Sequence, residues 1–371
     1  MNGRRHPGWL LIERSPDGTE APNVARIAGA GRCLPDTHLP TAELMKSTRH
    51  RTGIDLERLT GIYDRRVSSG EHDSLSLATG AALDCLRSSH RRGADLDVVI
   101  NCSITKYRGG LVQWLEPPTS MAVAEAVGAT RAMTFDVSNA CAGMLTGVFI
   151  LNNWIRRGAI ERGMVVSGEY ISQIGRNAAR HVRNVMSREL ASLTLGDAGA
   201  ALIVERSSAD EEGITLSGFT TVADHSRLCL AWPATHEPGA RMFTQSRPLQ
   251  KAAIRSTPQL LGEALDEAGL KIGDIDHVIP HQTSARAIRK GMAEVTASLG
   301  GEPAHPAVRT VEQFGNTAST THTVALVEEI QAGRIRAGDR VALVALASGI
   351  VIGVVLFVAD EGLVAGHAHH D

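Results

Sequence analysis

The sequence predicts an α/β protein built as two consecutive copies of one unit. Two observations carry this reading. Apolar runs rich in β-branched residues alternate with helical patterns of about ten or more residues, the order expected of sheets covered by helices. The chain also resembles itself. Ala81–Ser103 (AALDCLRSSHRRGADLDVVINCS) and Glu263–Ser284 (EALDEAGLKIGDIDHVIPHQTS) each give a helix with Ala-Leu-Asp near its start, a polar turn, and Asp-x-Asp feeding an apolar strand. Ile155–Glu169 (IRRGAIERGMVVSGE) and Ile330–Ala345 (IQAGRIRAGDRVALVA) each give a helix end, a glycine turn, an isoleucine, a second glycine and a strand. Ile155 and Ile330 are 175 residues apart. So long a period excludes a solenoid and points to duplication of a half-domain.

In chain order, residues 1–23 read as a polar N-terminal extension, whose apolar part, Trp9–Ile12, is too short for a signal-peptide core. The first half spans residues 24–205 and the second 213–360, joined by the polar run RSSADEEG. A long irregular section, Thr221–Arg247, follows the first strand of the second half. Arg340–Asp360 is the one membrane-like stretch. Its Ser348, Gly349 and Gly353 and its β-branched residues predict two buried antiparallel strands around a Ser-Gly turn rather than a spanning helix. Residues 361–371 form a His-rich tail, read as a disordered end, since imidazoles on a flexible tail have no fixed metal geometry.

Composition narrows the function. Net charge is −2, with 43% hydrophobic and 21% charged residues, so nothing calls for nucleic acid or an anionic membrane. The five cysteines form no CxxC pair, which suggests neither a zinc site nor a disulfide framework; scattered thiols fit a reducing cytoplasm. No glycine-rich dinucleotide motif is present, so no redox cofactor or metal is expected.

Cys141 is the first candidate for chemistry. A free cysteine is most often a small buried hydrophobe. Here, however, MTFDV ahead of it reads as a strand and CAGMLTGVFILNNWIRR behind it as a buried helix. The thiol then lies at a helix N-terminus, where unpaired N–H groups and the macrodipole favour a thiolate. Ala140, Ala142 and Gly143 leave room for a substrate chain. A nucleophile needs an orienting partner. His281 follows a strand in VIPHQTSARAIRK, and Asn316 stands at the mouth of a buried helix in EQFGNTASTTHTVALVEEI. By the duplication, Asn316 occupies in the second copy the place of Cys141 in the first, and the His281 loop that of Cys102–Ser103. Equivalent elbows facing each other across a pseudo-twofold bring Cys141, His281 and Asn316 to one pocket.

DVSNACAG, PHQTSARAI and FGNTAS resemble the three active-site segments of the ketoacyl-acyl-carrier-protein synthase III branch of the thiolase superfamily, over about residues 24 to 360. The resemblance implies a thiolase fold in five αβαβα layers, a homodimer, and a Cys-His-Asn triad at Cys141, His281 and Asn316. Within the branch, LTGIYDRRV, LEPPTS, TFDVSNAC and RELASLTLGDAGAALIVE look most like the enzymes that condense two acyl thioesters head to head in long-chain olefin biosynthesis. In those enzymes a loop glutamate enters the neighbouring subunit's site and removes a proton from the second chain's α-carbon; Glu116 holds that position. Taken alone, Glu116 is a solvated loop acid before two prolines. Coenzyme-A-using members often carry an arginine where Leu59 precedes Thr60-Gly61-Ile62, so delivery by an acyl carrier protein gains ground over coenzyme A. Arg286 matches a carrier-docking position. With Arg289 and Lys290 it offers positive charge to an acidic carrier or a phosphopantetheine phosphate; the alternative is a solvated helix face. Ser284 stands where many chain-elongating members have asparagine.

The implied reaction is a Claisen condensation. Cys141 takes an acyl group, with the oxyanion held by the backbone N–H groups of Cys141 and Ser348. His281 and Asn316 stabilise the enolate of a second thioester, which attacks acyl-Cys141. The enolate arises by proton removal at Glu116 from the other subunit or by decarboxylation of a malonyl-type unit. Further alternatives are acyl transfer to an alcohol or amine, and a non-catalytic partner for a related subunit.

Overall fold

The computed structural model describes residues 10–11, 23–207 and 213–367. Its strands are β1 (Leu10–Leu11), β2 (Ala25–Cys33), β3 (Val98–Asn101), β4 (Tyr107–Arg108), β5 (Val112–Gln113), β6 (Met133–Asp136), β7 (Arg162–Glu169), β8 (Ala198–Arg206), β9 (Ile214–Thr221), β10 (Cys229–Pro233), β11 (Ala240–Thr244), β12 (His277–Pro280), β13 (Arg340–Ala347) and β14 (Val351–Val358). Two five-stranded sheets form, ordered β2-β8-β7-β3-β6 and β1-β9-β14-β13-β12. The β3–β6, β3–β7 and β12–β13 pairs are parallel and the rest of both sheets antiparallel.

Strand side chains alternate between two burial environments, which stacks the layers. Along β8, Ala198, Ala200, Leu202 and Val204 face a central core, while Ala201 and Ile203 face an outer one with helix Ser74–Ser88. Along β13, Val341, Leu343 and Ala345 face the central core, while Ala342 and Val344 pack under helices Ser246–Glu267 and Ala285–Leu299. Between the sheets lie helices Gly143–Arg156 and Thr321–Gln331. The order is αβαβα, the thiolase fold.

The repeat is closer than the sequence shows. Helix starts Gly143 and Thr321, and strand starts Arg162 and Arg340, are both 178 residues apart. The shorter offset of 175 at the helix ends arises because the second central helix has 11 residues against 14 in the first, and its link to the next strand is correspondingly longer. The apolar run Arg340–Asp360 forms β13 and β14, and no helix among the described residues is long and apolar enough to cross a membrane. Among the described residues no counterpart of β6 pairs beside β12. Ala304, His305 and Val308 donate to Ile275, Asp276 and Val278 there, but Pro306 has no N–H to continue a ladder.

Three expectations need correction. The N-terminal extension contributes Leu10–Leu11 as an edge strand on β9; the rest of residues 1–22 lies outside the described residues. The section after β9 is not irregular throughout: β10 and β11 pair from Cys229–Thr244 to Pro233–Ala240. The His-rich tail does not begin as a disordered end. Asp360 caps helix Glu361–Ala365 through the Leu363 N–H and pairs with Arg26 at 2.6 Å, and His367 is buried. Residues 368–371, and most of the linker, lie outside the described residues.

Helix Ser74–Ser88 lies on the first sheet at backbone contact. A Cβ at Gly199 would sit 1.9 Å from the Leu77 carbonyl oxygen, and one at Gly168 2.0 Å from that of Ser74. The colliding atoms are backbone, so the helix itself would have to move. Gly199→Ala should therefore cost about 3 kcal/mol of stability, read as a lower urea midpoint at unchanged m-value; a midpoint like that of wild type would show that the helix yields freely.

Candidate active site

Cys141 follows β6 in a 3₁₀ turn, Ala140–Ala142, that leads into helix Gly143–Arg156. Ala140 has φ 45°, a left-handed conformation costly for any residue with a Cβ. The second half repeats the device: 3₁₀ turn Ala318–Thr320 precedes helix Thr321–Gln331, and Ala318 has φ 53°. Matching the turns gives Cys141 the counterpart Ser319, not Asn316. Asn316 stands three residues earlier, where the chain enters the elbow. The other equivalence holds: Cys102 N–H donates to Val166 at 2.7 Å and His281 N–H to Val344 at 2.9 Å, each residue just past its strand.

The two elbows adjoin. Cys141 packs with Ala318, Leu195, Ile171 and Ala240. Asn316 pairs with Leu195 as an isolated parallel bridge, donating its N–H to Thr194 at 2.8 Å and accepting from Gly196 at 3.0 Å. Its side-chain oxygen accepts from Ala318 N–H at 3.0 Å. That contact requires oxygen, so Nδ2 is the donor end left to the site. His281 is buried and tied to the same strand β13 whose Ala345 and Ala347 join the core around Cys141. One carbonyl, Val344, accepts from both His281 N–H and His322 Nε2, the latter at 3.1 Å. The two rings stand 5.8 Å apart. His281 Nδ1 is buried with no partner, leaving Nε2 as the nitrogen available to a substrate.

Burial is the largest influence on the titrating groups of the site. Burial, reinforced by Cys229 and Glu169, pushes the Cys141 thiol up. This direction runs against the expectation of a preformed thiolate, with desolvation as its largest cause. Burial and then the neighbouring His322 lower His281 to about 3, and burial lowers His322 to about 4. The small residues beside Cys141 are also partly for packing, since a Cβ on Gly143 would press on the Cys102 carbonyl at 3.0 Å.

Two buried acids support these loops. Asp197 accepts from the backbone of Ser68, Ile171 and Ser172 and from the Ser172 hydroxyl, at 2.6–2.8 Å. Glu169, at the end of β7, accepts from Ile104 N–H and from the hydroxyls of Ser167 and Ser319. Neither acid, nor His322 or Ser319, is singled out by the sequence reading. An acid closing an apolar strand (GMVVSGE) was the available signal.

Glu116, Arg286 and Arg289 do not join this cluster within one chain. Glu116 is exposed beyond β5, next to exposed Leu115. Arg286 and Arg289 are exposed on helix Ala285–Leu299, and Arg289 borders a surface groove of about 580 Å³ with Met292, His305 and Arg309. Ser348 lies in the β13–β14 turn, at the end of the strand that packs against the Cys141 turn. Among the described residues no group of three or more His, Cys, Asp or Glu is placed to hold a metal ion.

Two models of one family match the chain: 3-oxoacyl-(acyl-carrier-protein) synthase III over residues 135–224, and its C-terminal part over residues 265–358. These stretches contain the Cys141, His281 and Asn316 turns. The chain belongs to the synthase III branch of the thiolase superfamily. A β-ketoacyl-(acyl-carrier-protein) synthase III of Bacillus cereus is 27% identical over 333 residues, spanning 89% of this chain and 97% of that protein. OleA of Xanthomonas campestris, crystallised with bound lauric acid and lauroyl-CoA, superposes with a TM-score of 0.78 at 25% identity, over 91% of this chain and 99% of that one. The synthase III of Aquifex aeolicus superposes with a TM-score of 0.76 at 26% identity, over 90% and 100%. Both an OleA and a synthase III are thus among the structural neighbours of this chain.

The depressed histidines give this protein a signature in acid. Unfolded, each imidazole binds a proton near pH 6.5; folded, His281 and His322 wait until about 3 and 4. Below about pH 6.5 the unfolded chain therefore holds more protons, and stability falls as pH falls, by about 1.4 kcal/mol per unit for each histidine. The raised carboxyls of Glu169 and Asp197 act with the opposite sign. Both carboxyls are retained in His322→Gln, whose loss of stability between pH 7 and 4.5 should be shallower than that of wild type; parallel urea-midpoint curves would refute the assignment.

Proposed function

We propose that this chain is a condensing acyltransferase that joins a Cys141-bound acyl group to a second acyl thioester and releases a β-keto product. The observation that carries the residue assignment is the meeting of the Cys141 and Asn316 elbows beside the His281 loop, with donors left free on Asn316 Nδ2 and His281 Nε2. Cys141 Sγ attacks the thioester carbonyl. The oxyanion is held by the backbone N–H groups of Cys141 and Ser348, at about 3 kcal/mol for each such donor. The carbonyl re-forms, the C–S bond to the leaving thiol breaks, and that thiol departs with the proton Cys141 gives up. The raised thiol fits a nucleophile that loses its proton as substrate arrives.

The second thioester places its carbonyl oxygen between Asn316 and His281. A histidine neutral down to about pH 3 serves there as a hydrogen-bond donor, not as a base. The enolate then attacks acyl-Cys141, forming the C–C bond and expelling the thiolate. For its origin we favour proton removal by Glu116 of a second copy, forming a homodimer. The acid is exposed next to exposed Leu115; Val112, Met121 and Met133 are exposed too, and β6, which carries Met133, is an edge strand, so apolar surface is available for covering by another copy. Decarboxylation of a malonyl thioester is the second reading, supported by the named activity of the Bacillus and Aquifex relatives. Arg286 and Arg289 offer charge to a carrier protein or to the phosphates of coenzyme A, and the setting is cytoplasmic.

Three measurements test this. Intact mass after incubation with an acyl thioester should show one acyl adduct on wild type and none on Cys141→Ala, whose turnover should fall about 1,000-fold or more; an adduct on the alanine variant would sink the nucleophile assignment. Glu116→Gln should still acylate yet fail to join two non-carboxylated chains, and normal condensation would remove Glu116 as the base. Product analysis with and without malonyl thioester separates the two sources of the enolate.

A further inference from the structure

We infer that Glu169 is a positioning residue for condensation, whose carboxyl ties the elbow of the second half to the first and so aims Asn316 at the Cys141 acyl group. The inference rests on the catalytic reading of Cys141, His281 and Asn316. Glu169 is fully buried, and its Oε1 gathers three donors: Ile104 N–H at 3.0 Å, Ser167 Oγ at 3.3 Å, and Ser319 Oγ. Ser167 and Ser319 are themselves 2.7 Å apart. Ser319 is the residue at the nucleophile's place in the second elbow. In the first half the elbow carries the reacting thiol; in the second the same position carries an anchor.

The anchored turn is the one that shapes Asn316. Ala318 N–H holds the Asn316 amide oxygen, and Ser319 follows Ala318 directly. Slack at Ser319 therefore passes through one residue to the Nδ2 donor. A donor misplaced by about 1 Å loses much of its hold on a developing oxyanion. Oε2, by contrast, meets only the Thr105 N–H, at 3.5 Å. The three-donor arrangement on Oε1 thus survives if Oε2 carries a proton or becomes an amide nitrogen. Burial, the largest influence on this carboxyl, raises it. The titratable groups that feel its charge are the thiols of Cys141 and Cys102.

The test uses the full-length protein and three variants, measuring single-turnover acylation of Cys141 by intact mass, steady-state condensation, and thermal stability. Ser319→Ala cuts the tether and should lower condensation kcat about tenfold or more at little change in KM, with a smaller loss in acylation. Glu169→Gln keeps the Oε1 contacts and should recover most of that kcat. It also removes a negative charge near the thiol, so the alkaline rise of its acylation rate should move to lower pH. Glu169→Ala should resemble Ser319→Ala. Wild-type kcat and pH profile in both Ser319→Ala and Glu169→Gln would overturn the inference, as would equal losses of acylation and condensation that track lost melting temperature. If instead Cys141→Ala acylates like wild type, the catalytic reading fails, and this inference falls with it.

Discussion

Two apolar helices buried between two sheets set the geometry of this molecule. Thr321–Gln331 is buried almost all round and Gly143–Arg156 over all but the side of Thr146, Ile150, Asn153 and Trp154, so both must pack against the inner faces of both sheets. Each is entered by a tight elbow after a strand or loop, with an alanine forced into left-handed backbone. Burying the pair in one layer brings their N-termini together, and with them the residues that the elbows carry. The strain at Ala140 and Ala318 is tolerated because the surrounding packing fixes the chain on either side.

The same burial decides the electrostatics. The thiol is raised, both histidines are lowered, and the carboxyl of Glu169 is raised, in each case with desolvation as the largest cause. In the proposed reaction the donors to developing charge are the helix-start N–H groups, Asn316 Nδ2 and His281 Nε2. A dry, preorganised site makes such donors worth more than they would be in water. The Val344 carbonyl, accepting from His281 and His322 together, is the point at which the second sheet holds this arrangement.

Much of this was legible in the sequence, for a physical reason. Strand alternation, helix length and the strand-to-helix placement of Cys141 are local properties, and the duplication exposed the layering because two similar units fold alike. The paired strands in Arg340–Asp360 followed from β-branched residues and a Ser-Gly turn. The motifs around Cys141, His281 and Asn316 fixed the family because short segments of fixed chemistry recur in order.

Only the tertiary structure decided the rest. Which residue matches Cys141 depends on turn geometry, so Ser319 displaced Asn316 as its counterpart. Whether the thiol rests as a thiolate depends on desolvation by Ile171, Leu195, Ala240 and Ala318, residues spread across both halves. That Glu169 faces Ser319, 150 positions away, is a contact between the halves that no local pattern encodes. Sequence fixes periodicity and chemistry, which act along the chain; burial and hydrogen-bond partnership act through space, and these set protonation and aim.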